Sequence, residues 1–172
     1  MVKTLLLFSV ILTSTLANAK DFTQVKFAAK KLAPQVSKIE NYAFWVHTYA
    51  EKYQIDPFIM LALIKVESDF NQEAISETGD YSLAQINFKV WQKELSSKGI
   101  KLDYSKLKKN HTYALEKMAI ILNILKTRHA KKDNNWYGRY HSNTKKYKNK
   151  YLKKVNIALM KMKNNSRSIA QQ

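Results

Sequence analysis

Cysteine is absent from this 172-residue chain, so no disulfide can hold the fold together in an oxidising compartment. Proline occurs twice and glycine three times, and no Gly/Ser-rich or Pro-rich linker separates one part of the chain from another. Internal repeats are missing, and no segment alternates apolar and polar residues for more than a few positions. These absences exclude a disulfide scaffold and a repeat array. They predict a mainly α-helical single domain with at most a small β element. Acidic residues are also scarce: 13 Asp and Glu against 30 Lys and Arg give a formal net charge of +17. Such a balance favours polyanionic partners, whether nucleic acid, anionic lipid, or a cell wall rich in carboxylates and phosphates.

The apolar run nearest the start has the form of a targeting segment. Lys3 precedes Leu5 to Leu12, and Ala17-Asn18-Ala19 carries the small-residue pattern of a cleavage site, so residues 1–19 read as a signal peptide. Thr13, Ser14 and Thr15 interrupt the run before it reaches membrane-spanning length, and no stable membrane span is expected. Cleavage removes Lys3 and no acid, which takes the charge from +17 to +16. The predicted location is periplasmic or otherwise extracytoplasmic, which argues against nucleic acid as the partner. Protein recovered from the periplasm is expected to begin at Lys20. An intact Met1 chain in the cytoplasm would contradict export.

Residues 20–38 read as a basic leader or marginal helix, with a lone Pro34 and weak periodicity. Ile39, Tyr42, Val46, Ala50 and Tyr53 then recur at helical spacing. Asp56-Pro57 is an N-cap followed by proline at the first helical position, and Phe58 to Ile64 is almost continuously apolar. A polar loop from Asn71 to Tyr81 has Gly79 as its expected positive-φ residue. Asn87 can cap a helix bearing Val90, Trp91 and Leu95; Ser96 to Lys109 reads as a surface loop. A long helix follows Asn110, with Ala114, Met118, Ile121 and Leu125 inward. The last helix carries Tyr147, Tyr151, Val155, Ala158 and Met162, and its other face is mostly lysine. The expected catalytic domain covers residues 39–160, with a polar tail at 161–172.

Glu67 is the candidate for chemistry, although a carboxylate at a helix end taken alone reads first as a solvated surface residue. It lies three residues after Ile64 and four after Leu63, on one face of the apolar helix. Its place at the helix C-terminus sets it against the negative end of the macrodipole. Burial and dipole both disfavour the ionised form, so its pKa is expected to rise. A carboxylic acid kept protonated near neutrality suits protonation of a glycosidic oxygen.

The residues after it carry a family pattern. Glu67-Ser68, Phe70-Asn71, Ser76, Gly79, Leu83, Gln85 and Ile86 fall in register with the soluble lytic transglycosylase (SLT) family, which the chain resembles over roughly residues 39–157. That resemblance implies a lysozyme-like fold of the SLT or goose-type lysozyme kind. It also implies lytic cleavage of peptidoglycan glycan strands with Glu67 as the catalytic acid. Ser68 resembles the family's serine beside the acid, which orients the carboxyl or contacts substrate; a bond to a backbone carbonyl is the alternative. Gln85 resembles the glutamine of the glycan groove. Ser82 stands where glycine is usual and Ala84 where methionine is usual, altering the groove wall. Tyr140 falls on the tyrosine of an Ala-Tyr-Asn segment, with His141 in place of asparagine. Gly138-Arg139-Tyr140-His141-Ser142 looks like the small subgroup attached to conjugation, secretion and pilus systems. Tyr151 resembles a later tyrosine that reaches toward the acid; a rung of its helix stripe is the alternative.

Substrate-binding candidates are therefore Ser68, Ser82, Gln85, Tyr140, His141 and Tyr151. His47, His111 and His129 show no ligand spacing with His141, and neither metal nor cofactor is expected. Asp69, Glu77 and Asp80 are candidates for a second carboxylate, none singled out by position. The family's reaction uses one Glu and closes a 1,6-anhydro ring without external water. A hydrolytic muramidase with Glu77 or Asp80 holding water is the first rival. A cationic wall-binding component with dispensable activity is the second.

Overall fold

The computed structural model describes residues 22–163, so the predicted signal peptide lies outside the described residues. Among these residues the chain forms α1 (residues 22–32), α2 (Ile39–Lys52), α3 (Pro57–Ser68), α4 (Phe88–Ser96), α5 (Tyr104–Lys109), α6 (His111–His129) and α7 (Lys145–Lys163). A 3-10 helix spans Trp136–Tyr140, and a two-stranded antiparallel sheet joins β1 (Asp80–Tyr81) to β2 (Ile86–Asn87). This is the mainly helical fold with a small β element that the sequence predicts.

α3 is the centre of the molecule. Asp56 accepts a hydrogen bond from the Phe58 N–H at 2.8 Å, and Pro57 opens the helix with a φ suited to its first turn. Met60, Leu61, Ala62, Leu63 and Ile64 are all completely buried. Burial of each large side chain among them is worth about 1.5–3 kcal/mol. The helix packs chiefly on α7 and on α2, while α6 packs on α2, α5 and the 3-10 helix. Asp69 ends α3 in the left-handed conformation, φ 54°, and Phe70 follows at φ 64° with its ring buried against Tyr42. Two left-handed residues in succession are costly for side chains other than glycine. Here they turn the chain sharply from Glu67 into the loop that faces it.

Four sequence expectations change. The basic leader is part of the core: Val25, Ala28, Ala29 and Leu32 recur at helical spacing and are buried. The supposed loop at 96–109 contains α5, capped by Asp103, whose side chain accepts from the Lys106 N–H. Val90 is exposed and Trp91 only half-buried, so Leu95 alone of the α4 stripe is core. α7 continues through Lys163 with Met162 buried, three residues into the predicted tail; residues 164–172 lie outside the described residues.

Candidate active site

The packing of α7 on α3 brings two residues 84 positions apart into contact. The Tyr151 hydroxyl donates to Glu67 Oε1 at 2.6 Å. Tyr151 is buried, and Glu67 is half-buried with its exposed part in a cavity of about 370 Å³. Burial, the largest influence, pushes the Glu67 carboxyl up to about 7, and the negative charge of Asp80 adds to it. The Tyr151 hydrogen bond and the Lys154 ammonium pull the other way. Desolvation outweighs the opposing pulls because the carboxyl lies against buried Tyr151, where α3 packs on α7. The result is an acid that holds its proton near neutrality and can deliver it into the cavity.

The 3-10 helix and α4 supply the walls. Gly138 makes the first possible by a close approach to α7. A Cβ there would stand 2.7 Å from Leu152 Cγ and 2.9 Å from Lys148 Cγ. Asp133 reinforces the contact through Lys148 at 2.7 Å and Arg139 at 3.3 Å. Tyr140 and His141 thereby reach the cavity, and the His141 ring stacks on Tyr151 with centroids 4.7 Å apart and planes 10° from parallel. Across from them stand Val90 and Trp91 of α4, with Tyr147 of α7 at the rim.

Residues 44–157 match the Transglycosylase SLT domain family. The chain belongs to that family. No curated protein and no solved structure matches it. The match takes in Glu67, the loop after it, the 3-10 helix and Tyr151.

Within this SLT domain the predicted site residues divide in two. Glu67, Gln85, Tyr140 and His141 line the cavity, and Tyr151 stands behind Glu67. Ser68 and Ser82 do not line it. The Ser68 hydroxyl donates to the Leu83 carbonyl at 2.8 Å, fastening the 82–85 turn to α3 rather than orienting the acid. Ser82 is buried at φ 69°, and its Oγ accepts from the Ala84 N–H at 3.3 Å. That left-handed φ explains why glycine suits this position, and a small residue with a local hydroxyl bond stands in for it. Ala84 is likewise wholly buried, so neither side chain stands in the groove wall. Gln85 is a partial correction: its amide nitrogen donates to the Ala74 and Ser82 carbonyls at 3.0 and 2.9 Å. Only its side-chain oxygen remains for a ligand. Tyr140 pins the same turn, donating to the Ala84 carbonyl at 2.7 Å.

Asp80 is what the sequence did not single out from its neighbours. It lines the cavity, with Ser76 and Thr78 hydroxyls each 2.7 Å from Oδ2 and the Asn87 amide 2.8 Å from Oδ1. Of the other two candidates, Asp69 pairs with Lys65 on the surface, and Glu77 is exposed and outside the cavity lining. Trp91 and Val90 were the other omission. An apolar pair in the first turn of a short helix, right after the loop that faces Glu67, was the available signal.

Proposed function

We propose that this SLT domain is an exported peptidoglycan lytic transglycosylase that cleaves the MurNAc–GlcNAc β-1,4 bond and leaves 1,6-anhydro-MurNAc ends. The observation that carries this reading is a single carboxyl, Glu67, buried enough to stay protonated and open to one cavity. Glu67 donates its proton to the glycosidic oxygen as the C1–O4 bond breaks. The muramic N-acetyl group stabilises the cationic C1. The Glu67 carboxylate, steadied by the Tyr151 hydroxyl, then takes the C6 hydroxyl proton as O6 bonds to C1. The proton count closes with Glu67 neutral again and no water consumed. Trp91 and Val90 offer apolar surface to the faces of the sugar rings. Local opening of the wall for a secretion, conjugation or pilus apparatus is the role suggested by the Gly-Arg-Tyr-His-Ser segment.

Digestion of purified sacculi in ¹⁸O-labelled water, followed by mass spectrometry, tests the reaction type. The expected fragments end in anhydro-muramyl groups, lighter by one water and free of label. Labelled reducing ends would mean hydrolysis. One observation favours that second reading: Asp80 and Glu67 share the cavity, and paired carboxylates serve ordinary glycosidases. Asp80→Asn separates the two. A transglycosylase is expected to keep activity within about tenfold, whereas loss of a carboxylate nucleophile or base costs about 10²–10⁴-fold.

Charge on α7 serves delivery rather than chemistry. Lys145, Lys146, Lys150 and Lys153 are exposed, whereas Lys148 is spent on Asp133 and Lys154 acts on Glu67. Attraction between exposed charges is screened within about 8 Å at physiological ionic strength. Raising salt is therefore expected to weaken binding to whole sacculi far more than turnover of a short soluble glycan with uncharged peptides. Replacing those four lysines with Gln should mimic high salt on sacculi only. Equal loss on both substrates would place them in the groove.

A further inference from the structure

A tyrosine hydroxyl donates usefully to a carboxyl only when its ring is held in one orientation, and the reaction itself does not hold Tyr151. His141 does. Its imidazole lies flat on the Tyr151 phenol, 4.7 Å between centroids and 10° from parallel, while the phenol oxygen stands 2.6 Å from Glu67 Oε1. The backbone that carries His141 is itself fixed: its N–H bonds the Gly138 carbonyl, and Gly138 packs directly on Leu152, the neighbour of Tyr151. Tyr137 adds a second fastening, its hydroxyl reaching Asn156 at 3.3 Å. No described residue hydrogen-bonds either ring nitrogen of His141, so within the protein the imidazole works through its face.

We propose that His141 is a positioning residue that acts through Tyr151: its stacked ring keeps the phenol aimed at Glu67 and so governs how tightly Glu67 holds its proton. The groups that bear on the array are Glu67 and Tyr151 themselves, Tyr140 and Asp80 in the cavity, and Lys154 on α7. Burial holds the His141 pKa below the usual imidazole range, with Lys154 adding to it and Asp80 opposing. The proposal rests on the reading of Glu67 as the acid and assigns the neighbouring histidine a role distinct from sugar binding.

The test is a cycle of His141→Ala, His141→Phe and Tyr151→Phe, with His141→Ala also made in the Tyr151→Phe background. A stacked ring pair of ordinary strength corresponds to a loss of about two- to tenfold in kcat for His141→Ala, with KM little changed. The same variant should move the Glu67 titration midpoint upward, read by ¹³C-carboxyl NMR, because the Tyr151 hydrogen bond favours the ionised form. Tyr151→Phe is expected to shift it in the same direction. His141→Phe, which keeps a flat ring and loses both nitrogens, should restore the midpoint and most of kcat. In the Tyr151→Phe background, His141→Ala should cost nothing further. An equal cost in both backgrounds, a change in KM alone, or failure of His141→Phe to rescue would overturn the proposal and place the imidazole on substrate. Retained activity of Glu67→Gln would instead sink the reading of the acid, so the two failures are distinguishable.

Discussion

Glu67→Gln is expected to lower kcat on peptidoglycan by about 10²–10⁴-fold, the contribution of a well-placed general acid. The amide fills the same space and can still accept from the Tyr151 hydroxyl, so helical circular dichroism should be unchanged. Stability should also move, with a sign set by the raised pKa. Glu67 holds its proton to about 7 in the folded chain and loses it near the ordinary value of about 4.3 when unfolded. Its contribution is therefore fully present below pH 4.3 or so and is lost as pH rises through about 7. At pH 8 the ionised group costs on the order of 3 kcal/mol relative to a neutral one. Glu67→Gln should accordingly melt higher than the wild type at pH 8 and close to it at pH 4. Activity and stability would then oppose each other at one residue, as expected of a strained catalytic group. Wall lysis retained in a zymogram by a folded Glu67→Gln protein would remove Glu67 from the mechanism.

Gly138→Ala carries the second large effect. Its added methyl meets Leu152 Cγ at 2.7 Å and Cδ2 at 2.8 Å, in a part of α7 where Leu152 is itself core. Overpacking of this kind costs about 1–3 kcal/mol. For a domain of this size that corresponds to roughly 3–12 °C in Tm. Function should fall further than stability implies, because relief requires the 3-10 helix to lift from α7 and carry Tyr140 and His141 with it. Adding Leu152→Ala should recover part of the loss, giving a double variant less damaged than the sum of the two. Full additivity in thermal melts would show that the close approach does not govern the site.

Glu67 was singled out by the family pattern that follows it, while a cap, a proline at the first position and a continuous apolar run marked α3 as a buried helix. The local signals fix the start and the burial of the helix, and burial is the main cause of the raised pKa. α1 was harder to read. Half of its core positions are alanine, and Lys26, Lys30 and Lys31 dilute the pattern to that of a solvated segment. α5 has six residues, too few for periodicity to speak, and only Asp103 announces it. In the loop after Glu67, the choice among Asp69, Glu77 and Asp80 depends on a turn built by Ser76, Gly79 and Asn87. Carboxylates a few residues apart point to different faces of that turn, and no local spacing rule separates them. Gln85 is the clearest limit: its residue type fitted a sugar ligand, yet tertiary contacts give its amide nitrogen to the loop backbone.

The central claim is that Glu67 works as a protonated acid held by burial, and its own titration addresses this most directly. Chemical-shift titration of a ¹³C-labelled Glu67 carboxyl, run beside the pH dependence of kcat on soluble glycan, puts both quantities on one axis. The account predicts that the carboxyl titrates at about 7 and that the basic limb of kcat falls through the same pH. A carboxyl titrating near 4.3 or so, with activity undiminished above pH 7, would contradict it.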